Sequence, residues 1–98
     1  MNREERNDLY KSAVEKWGEE AQLDQLIEEM AELMLAINKY KRMKKWIAQK
    51  KEGVLENLFE EIADVKLCIE QMEWIFGEDV IDKAMQEKVV KFKKQLDE

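Results

Sequence analysis

Apolar residues recur along this chain at the three- and four-residue spacing of an α-helix, in four runs separated by Gly18, Gly53 and Gly77. Leu9, Tyr10, Ala13, Val14 and Trp17 form the first stripe. They predict a helix over residues 2 to 17 that Gly18 ends. Leu23, Leu26, Met30, Leu33 and Ile37 mark a second helix from residue 19 to about residue 43. Its acids gather at the start and its bases at the end, the order the helix dipole prefers. Leu55, Leu58, Ile62, Val65, Ile69, Met72 and Phe76 predict a third helix over 54 to 76, stopped by Gly77. Ile81, Met85, Val89, Phe92 and Leu96 line a fourth over 78 to 97, whose polar side carries Lys83, Lys88, Lys91, Lys93 and Lys94. With no proline and three glycines, breakers are scarce, and the expectation is one all-α domain spanning residues 1 to 98.

Two acidic clusters interrupt this pattern. They are Glu28-Glu29-Met30-Ala31-Glu32 and Glu60-Glu61-Ile62-Ala63-Asp64. Glu28 and Glu32 are four apart, while Glu29 and Glu32, like Glu61 and Asp64, are three apart. At that spacing, carboxylates share one helix face and repel. Doing so twice calls for a compensating cation, and an all-oxygen donor set suits Mg²⁺ or Mn²⁺ rather than zinc. Glu61 is the sharper clue. It continues a stripe of Cys68, Met72 and Ile75, so it points toward a packed side, where a lone carboxylate is costly. Glu28 and Glu32 lie away from the apolar face of their helix, where a solvated acid would also lie.

Composition narrows the choices. The apolar fraction of 45% excludes disorder, and a charged fraction of 41% fits helices with solvated outer faces. A chain of 98 residues buries a limited core, which makes oligomerisation an expectation. The net charge of −6 disfavours nucleic-acid binding, though not a nucleotide carrying its own metal. Without His and with one Cys, Ser-His, Cys-His and His-rich zinc sites are absent. One cysteine also fits a reducing cytoplasm, and no apolar run approaches a membrane span.

Residues 39 to 51 hold Lys39, Lys41, Arg42, Lys44, Lys45, Lys50 and Lys51, with Trp46 and Ile47 between them and no acid. They read as a basic hairpin tip, either a solvated loop with an apolar anchor or a positive lip for phosphates or a second subunit. Trp17 at a helix end is either core or an aromatic face for a ligand. Asn38 is either solvated or within reach of a ligand. Lys88, one turn beyond Met85, is either solvated or leans toward an anion.

Glu28-Glu29-x-x-Glu32 followed by Glu61-x-x-Asp64 on the next helix resembles the all-α nucleoside triphosphate pyrophosphohydrolases, the MazG-like family. Trp17-Gly18 ahead of the first motif, Leu26-Ile27 before it, Leu33 after it and Lys88 on the last helix extend the resemblance over roughly residues 10 to 96. It implies a four-helix protomer assembling into dimeric or tetrameric bundles. It also implies Mg²⁺ held among Glu28, Glu29, Glu32, Glu61 and Asp64, with Lys88 on phosphate. The implied reaction cleaves a (d)NTP to the monophosphate and pyrophosphate. The residues suit that chemistry. Phosphoanhydride hydrolysis needs neutralised phosphate oxygens and a positioned water, for which Glu29 or Glu32 is the candidate. Trp17 and Tyr40 are candidates to stack on a base. The competing reading is a non-enzymatic helical assembly or adaptor, since glutamates are good helix formers and acidic runs commonly mean a solvated face. A metal- or nucleotide-binding sensor with a decayed active site is a third.

Overall fold

The computed structural model describes residues 1–45 and 52–98. It contains four α-helices: α1 (Arg3–Trp17), α2 (Glu19–Lys45), α3 (Val54–Phe76) and α4 (Glu78–Leu96). The described residues are helical apart from caps and junctions. The α1 start is a capping box, in which the Glu5 amide donates to Asn2 Oδ1 at 2.8 Å and the Asn2 amide donates to Glu5 Oε1 at 3.2 Å. Gly18 lies at φ 91°, a conformation costly for a residue with a Cβ, and lets α2 begin within one residue of the α1 end.

The centre of the fold is the α2–α3 hairpin. Gln22 faces Gln71, Glu29 faces Asp64, and Glu32 faces Glu61, so the two helices run antiparallel in a single register. Small and flexible side chains close the seam: Ala36 and Met43 from α2, Val65 and Cys68 from α3. The Gln22–Gln71 amide pair is buried too, with Gln71 Nε2 donating to Gln22 Oε1 at 2.9 Å. Buried amides tolerate only a paired partner, so this bond pins the register.

A polar clasp holds α1 against α3. Arg6 pairs with Glu70 through Nε, and Tyr10 Oη donates to Glu70 Oε1 at 2.9 Å. Arg3 lies 3.6 to 3.7 Å from Glu70, Glu73 and Glu78. The Arg6 and Tyr10 bonds to the Glu70 carboxylate hold its pKa below the usual range.

The periodicity located the helices within two residues of their ends, but the structure differs from it in two respects. Residues 39 to 45 continue α2 as helix, where a hairpin tip was expected. The remainder of that tip, with Trp46, Ile47, Lys50 and Lys51, lies outside the described residues. The apolar stripes are also largely uncovered within one chain. Ile62, Ile69 and Phe76 of α3 are exposed, as is every residue of α4 from Glu78 onward. Trp17, at 62% exposure, is not core. Among the described residues, no helix is long and apolar enough to cross a membrane.

Candidate metal centre

The register that buries the Gln22–Gln71 pair brings the two acidic clusters face to face about two to three turns further along. Glu29 and Glu32 sit on neighbouring turns of α2, and Glu61 faces them from α3. Each offers a carboxylate oxygen within 4.8 Å of the other two. At such separations three negative charges repel strongly, more so where water is excluded. Glu29 Oε2 and Glu61 Oε2 are buried and accept no hydrogen bond. Buried acceptors are normally satisfied, and two residues of one carboxylate cluster each keep an unpartnered buried oxygen, a deficit that a bound cation would relieve.

The electrostatics agree. Burial raises the Glu29 pKa, helped by the Glu32 and Asp64 charges. Glu61 beside Glu32 raises the Glu32 pKa, with burial and Glu28 adding to it. Gln25, one turn before Glu29, donates from Nε2 to Glu29 Oε1 at 2.8 Å and orients that carboxylate. The arginines of the clasp pair with Glu70, Glu73 and Glu78, and no ion pair among the described residues reaches Glu29, Glu32 or Glu61.

The structure brings three of the five sequence-derived acids together and leaves two outside that cluster. Glu29, Glu32 and Glu61 converge. Asp64 stands alongside Glu29 and acts on it. Glu28 is exposed on the outer side of α2 and acts on Glu32 through charge. The packed stripe expected behind Glu61 is present: Cys68 is buried, and Met72 and Ile75 are half-buried. Burial raises the Cys68 pKa, and the Glu29 and Asp64 charges push it further, so the thiol stays protonated. The converging ligand atoms are carboxylate oxygens alone, an oxygen-only donor set. That chemistry fits a hard divalent cation.

Trp17 lies at the same end of the hairpin. With Ala21, Gln22 and Gln25 it walls an open cavity of about 360 Å³, and Lys16 Nζ sits 5.2 Å from its ring centroid. Gln25 joins this cavity to the carboxylates, because it lines the first and bonds to Glu29. Gln25 is the residue that sequence reasoning missed. Its signal is its position four residues before Glu29, where an amide meets a carboxylate on a helix. Tyr40, half-buried beneath Lys44 Nζ at 5.7 Å, is at the other end of α2, roughly 30 Å from Trp17 by helical rise. The two aromatics cannot stack on one base. Asn38 is exposed near that far end. Lys88 is exposed on α4, which packs only against α3, and within one chain it joins no described contact with the acids.

Searches of family models, curated proteins and solved structures found no match for this chain.

Proposed function

We propose that the chain is a Mg²⁺-dependent nucleoside triphosphate pyrophosphohydrolase of MazG-like type, releasing pyrophosphate from a (d)NTP. The observation that carries this reading is the convergence of Glu29, Glu32 and Glu61 with two buried carboxylate oxygens lacking any partner. Glu29, Glu32 and Glu61 would hold the metal, with Asp64 and Glu28 reinforcing the negative field. A divalent ion bound there neutralises phosphate oxygens and so lowers the barrier to phosphoanhydride cleavage.

The chain's own groups divide the remaining work. Whichever of Glu29 and Glu32 is not spent on the metal would orient and deprotonate a water, and Gln25 fixes the orientation of the Glu29 carboxylate. Trp17 and the cavity beside it offer an aromatic wall for a base, next to the amides of Gln22 and Gln25. Phosphate contact by Lys88, implied by the resemblance, requires a second chain to bring α4 to the acids. Assembly into a homodimer or homotetramer in the cytoplasm belongs to the same proposal, with Mn²⁺ as the alternative ion.

The test is pyrophosphate release across the (d)NTPs with and without Mg²⁺, for the native chain and for Glu32→Gln and Glu61→Gln. Native turnover that requires Mg²⁺ and vanishes in both variants supports the reading. Equal turnover in native and variant chains removes it. The uncovered apolar surface favours the second reading, a helical assembly without catalysis. Assembly with no turnover on any nucleotide would select it.

A further inference from the structure

The cavity beside Trp17 is walled by two side-chain amides whose polarity the fold has already assigned. Gln71 Nε2 donates to Gln22 Oε1 at 2.9 Å, and Gln25 Nε2 donates to Glu29 Oε1 at 2.8 Å. A glutamine amide carries an acceptor oxygen and a donor nitrogen on different sides of one carbon. Engaging the Gln22 oxygen leaves its amino group turned away from Gln71. Engaging the Gln25 nitrogen leaves its carbonyl turned away from the carboxylates. Among the described residues, the sealed side-chain atoms without a partner belong to Glu29 and Glu61, so the free Gln22 amino group is open to the cavity that Gln22 lines. Lys16, over the Trp17 ring at 5.2 Å, lines a neighbouring cavity with Leu9 and Ser12 instead of this one. The amide-lined cavity thus offers an aromatic wall, one donor and one acceptor, with no charged side chain. Such a lining suits a neutral, flat, polar-edged group rather than a phosphate.

The order of the two amides along α2 decides which edge they read. Gln25 is bonded to Glu29 of the carboxylate cluster. Gln22 lies one turn further from that cluster, about 4.5 Å by helical rise. A nucleotide whose phosphates sit on a carboxylate-held metal extends its base away from them, in the same direction. Passing outward from the sugar, the base edge presents a ring nitrogen and then an exocyclic group. In uracil, thymine, guanine and hypoxanthine the ring N–H donates and the outer carbonyl accepts. In cytosine and adenine the ring nitrogen accepts and the outer amino group donates. A keto base therefore gives its N–H to the Gln25 carbonyl and takes the Gln22 amino group on its outer oxygen. An amino base sets acceptor against acceptor and donor against donor, and both amides lose a partner they would otherwise have.

We infer that the Trp17 cavity selects nucleotides with keto bases over those with cytosine or adenine, with Gln25 and Gln22 reading the base edge and Gln71 holding Gln22 in its reading orientation. The inference rests on the hydrolase reading only for the place of the phosphates. Calorimetric titration in Mg²⁺ tests it, using the α,β-imido analogues of dUTP, dCTP, dITP and dATP, which bind but resist cleavage between the first two phosphates. Within each pair, dUTP with dCTP and dITP with dATP, the sugar, the phosphates and the ring size are the same, and only the keto or amino edge differs. Pyrophosphate release from the four cleavable nucleotides is measured in parallel.

The expected result is that the keto member of each pair binds about tenfold or more tightly. Gln25→Met should bring both ratios to within about twofold, as should Gln22→Leu combined with Gln71→Leu, which replaces both partners of a buried bond by apolar groups. Helical circular dichroism should be retained in each. Equal affinity within either pair, tighter binding of an amino member, or no binding of any analogue overturns the inference. So do native ratios that persist in Gln25→Met, a substitution at an exposed position that leaves the fold intact. Discrimination in binding without pyrophosphate release leaves this inference standing and sinks the hydrolase reading. Turnover of all four nucleotides at equal kcat/KM does the reverse, so the two fail separately.

Discussion

Glu61 is a carboxylate with one oxygen sealed from water, no donor bonded to that oxygen, and two other acids facing it. Replacing it with Gln removes a charge while keeping its shape. Without metal, Glu61→Gln should therefore raise the thermal midpoint, by roughly 1 kcal/mol of stability. Mg²⁺ should raise the midpoint of the native chain and leave that of the variant nearly unmoved, as scanning calorimetry with and without Mg²⁺ would read. On the hydrolase reading, pyrophosphate release should fall about 100-fold or more in the variant. Glu70 behaves in the opposite sense. Arg6, Tyr10 and Arg3 lower its pKa, so the stability it lends is complete above the ordinary carboxylate range. That stability is lost as pH falls through the lowered value. The midpoint should therefore drop on acidification in the native chain and drop less in Glu70→Gln, as a series of melts across acid pH would show. Glu29 and Glu32 have raised values, so metal-free stability declines as pH climbs through them, and bound Mg²⁺ should flatten that decline.

At the scale of elements, each helix was legible because its apolar residues keep the helical period and a glycine interrupts each run. The partner of each stripe was not legible. Periodicity shows which side of α3 is apolar, yet it does not show that Val65 and Cys68 pack on α2 while Ile62 and Ile69 stay uncovered. Helix α2 runs to Lys45 through basic residues that charge density alone assigns to a loop, because lysine and arginine are good helix formers and suit a helix C-terminus. The convergence of the acids was readable as two clusters on successive helices. Their register was not, because the buried Gln22–Gln71 pair that sets it looks like two ordinary polar residues in sequence. The α1 element presents Trp17 at the mouth of a cavity rather than in a core. Trp17→Ala should accordingly leave helical circular dichroism unchanged. On the hydrolase reading it should raise KM for nucleotide several-fold with a smaller effect on kcat, since a stacking wall acts mainly on binding. Steady-state kinetics separates the two constants. A fall in kcat with KM unmoved would move Trp17 out of the binding wall.

For the whole molecule, the balance between burial and chain entropy decides the state in which it is stable. Among the described residues, one chain buries few large side chains, and none of them is almost fully sealed. The seam of small residues, the amide pair and the α1 clasp fix geometry, but they remove little apolar surface from water. Conformational entropy opposes folding at about 1 to 2 kcal/mol per ordered residue, so a chain that leaves α4 wholly exposed has little to set against it. On the assembly that belongs to the proposed function, the remaining stabilisation comes from covering the α2–α3 groove at Ile62 and Ile69 and the α4 stripe. If folding and association are one event, the unfolding midpoint depends on protein concentration, because mass action favours the assembled state as concentration rises. The native chain should thus melt several degrees higher at 100-fold greater concentration. Val89→Glu with Phe92→Glu should melt lower at every concentration and lose the dependence. Calorimetric scans of both proteins over two decades of concentration supply the comparison. A native midpoint independent of concentration would mean that the protomer is stable by itself, with its apolar stripes left in water.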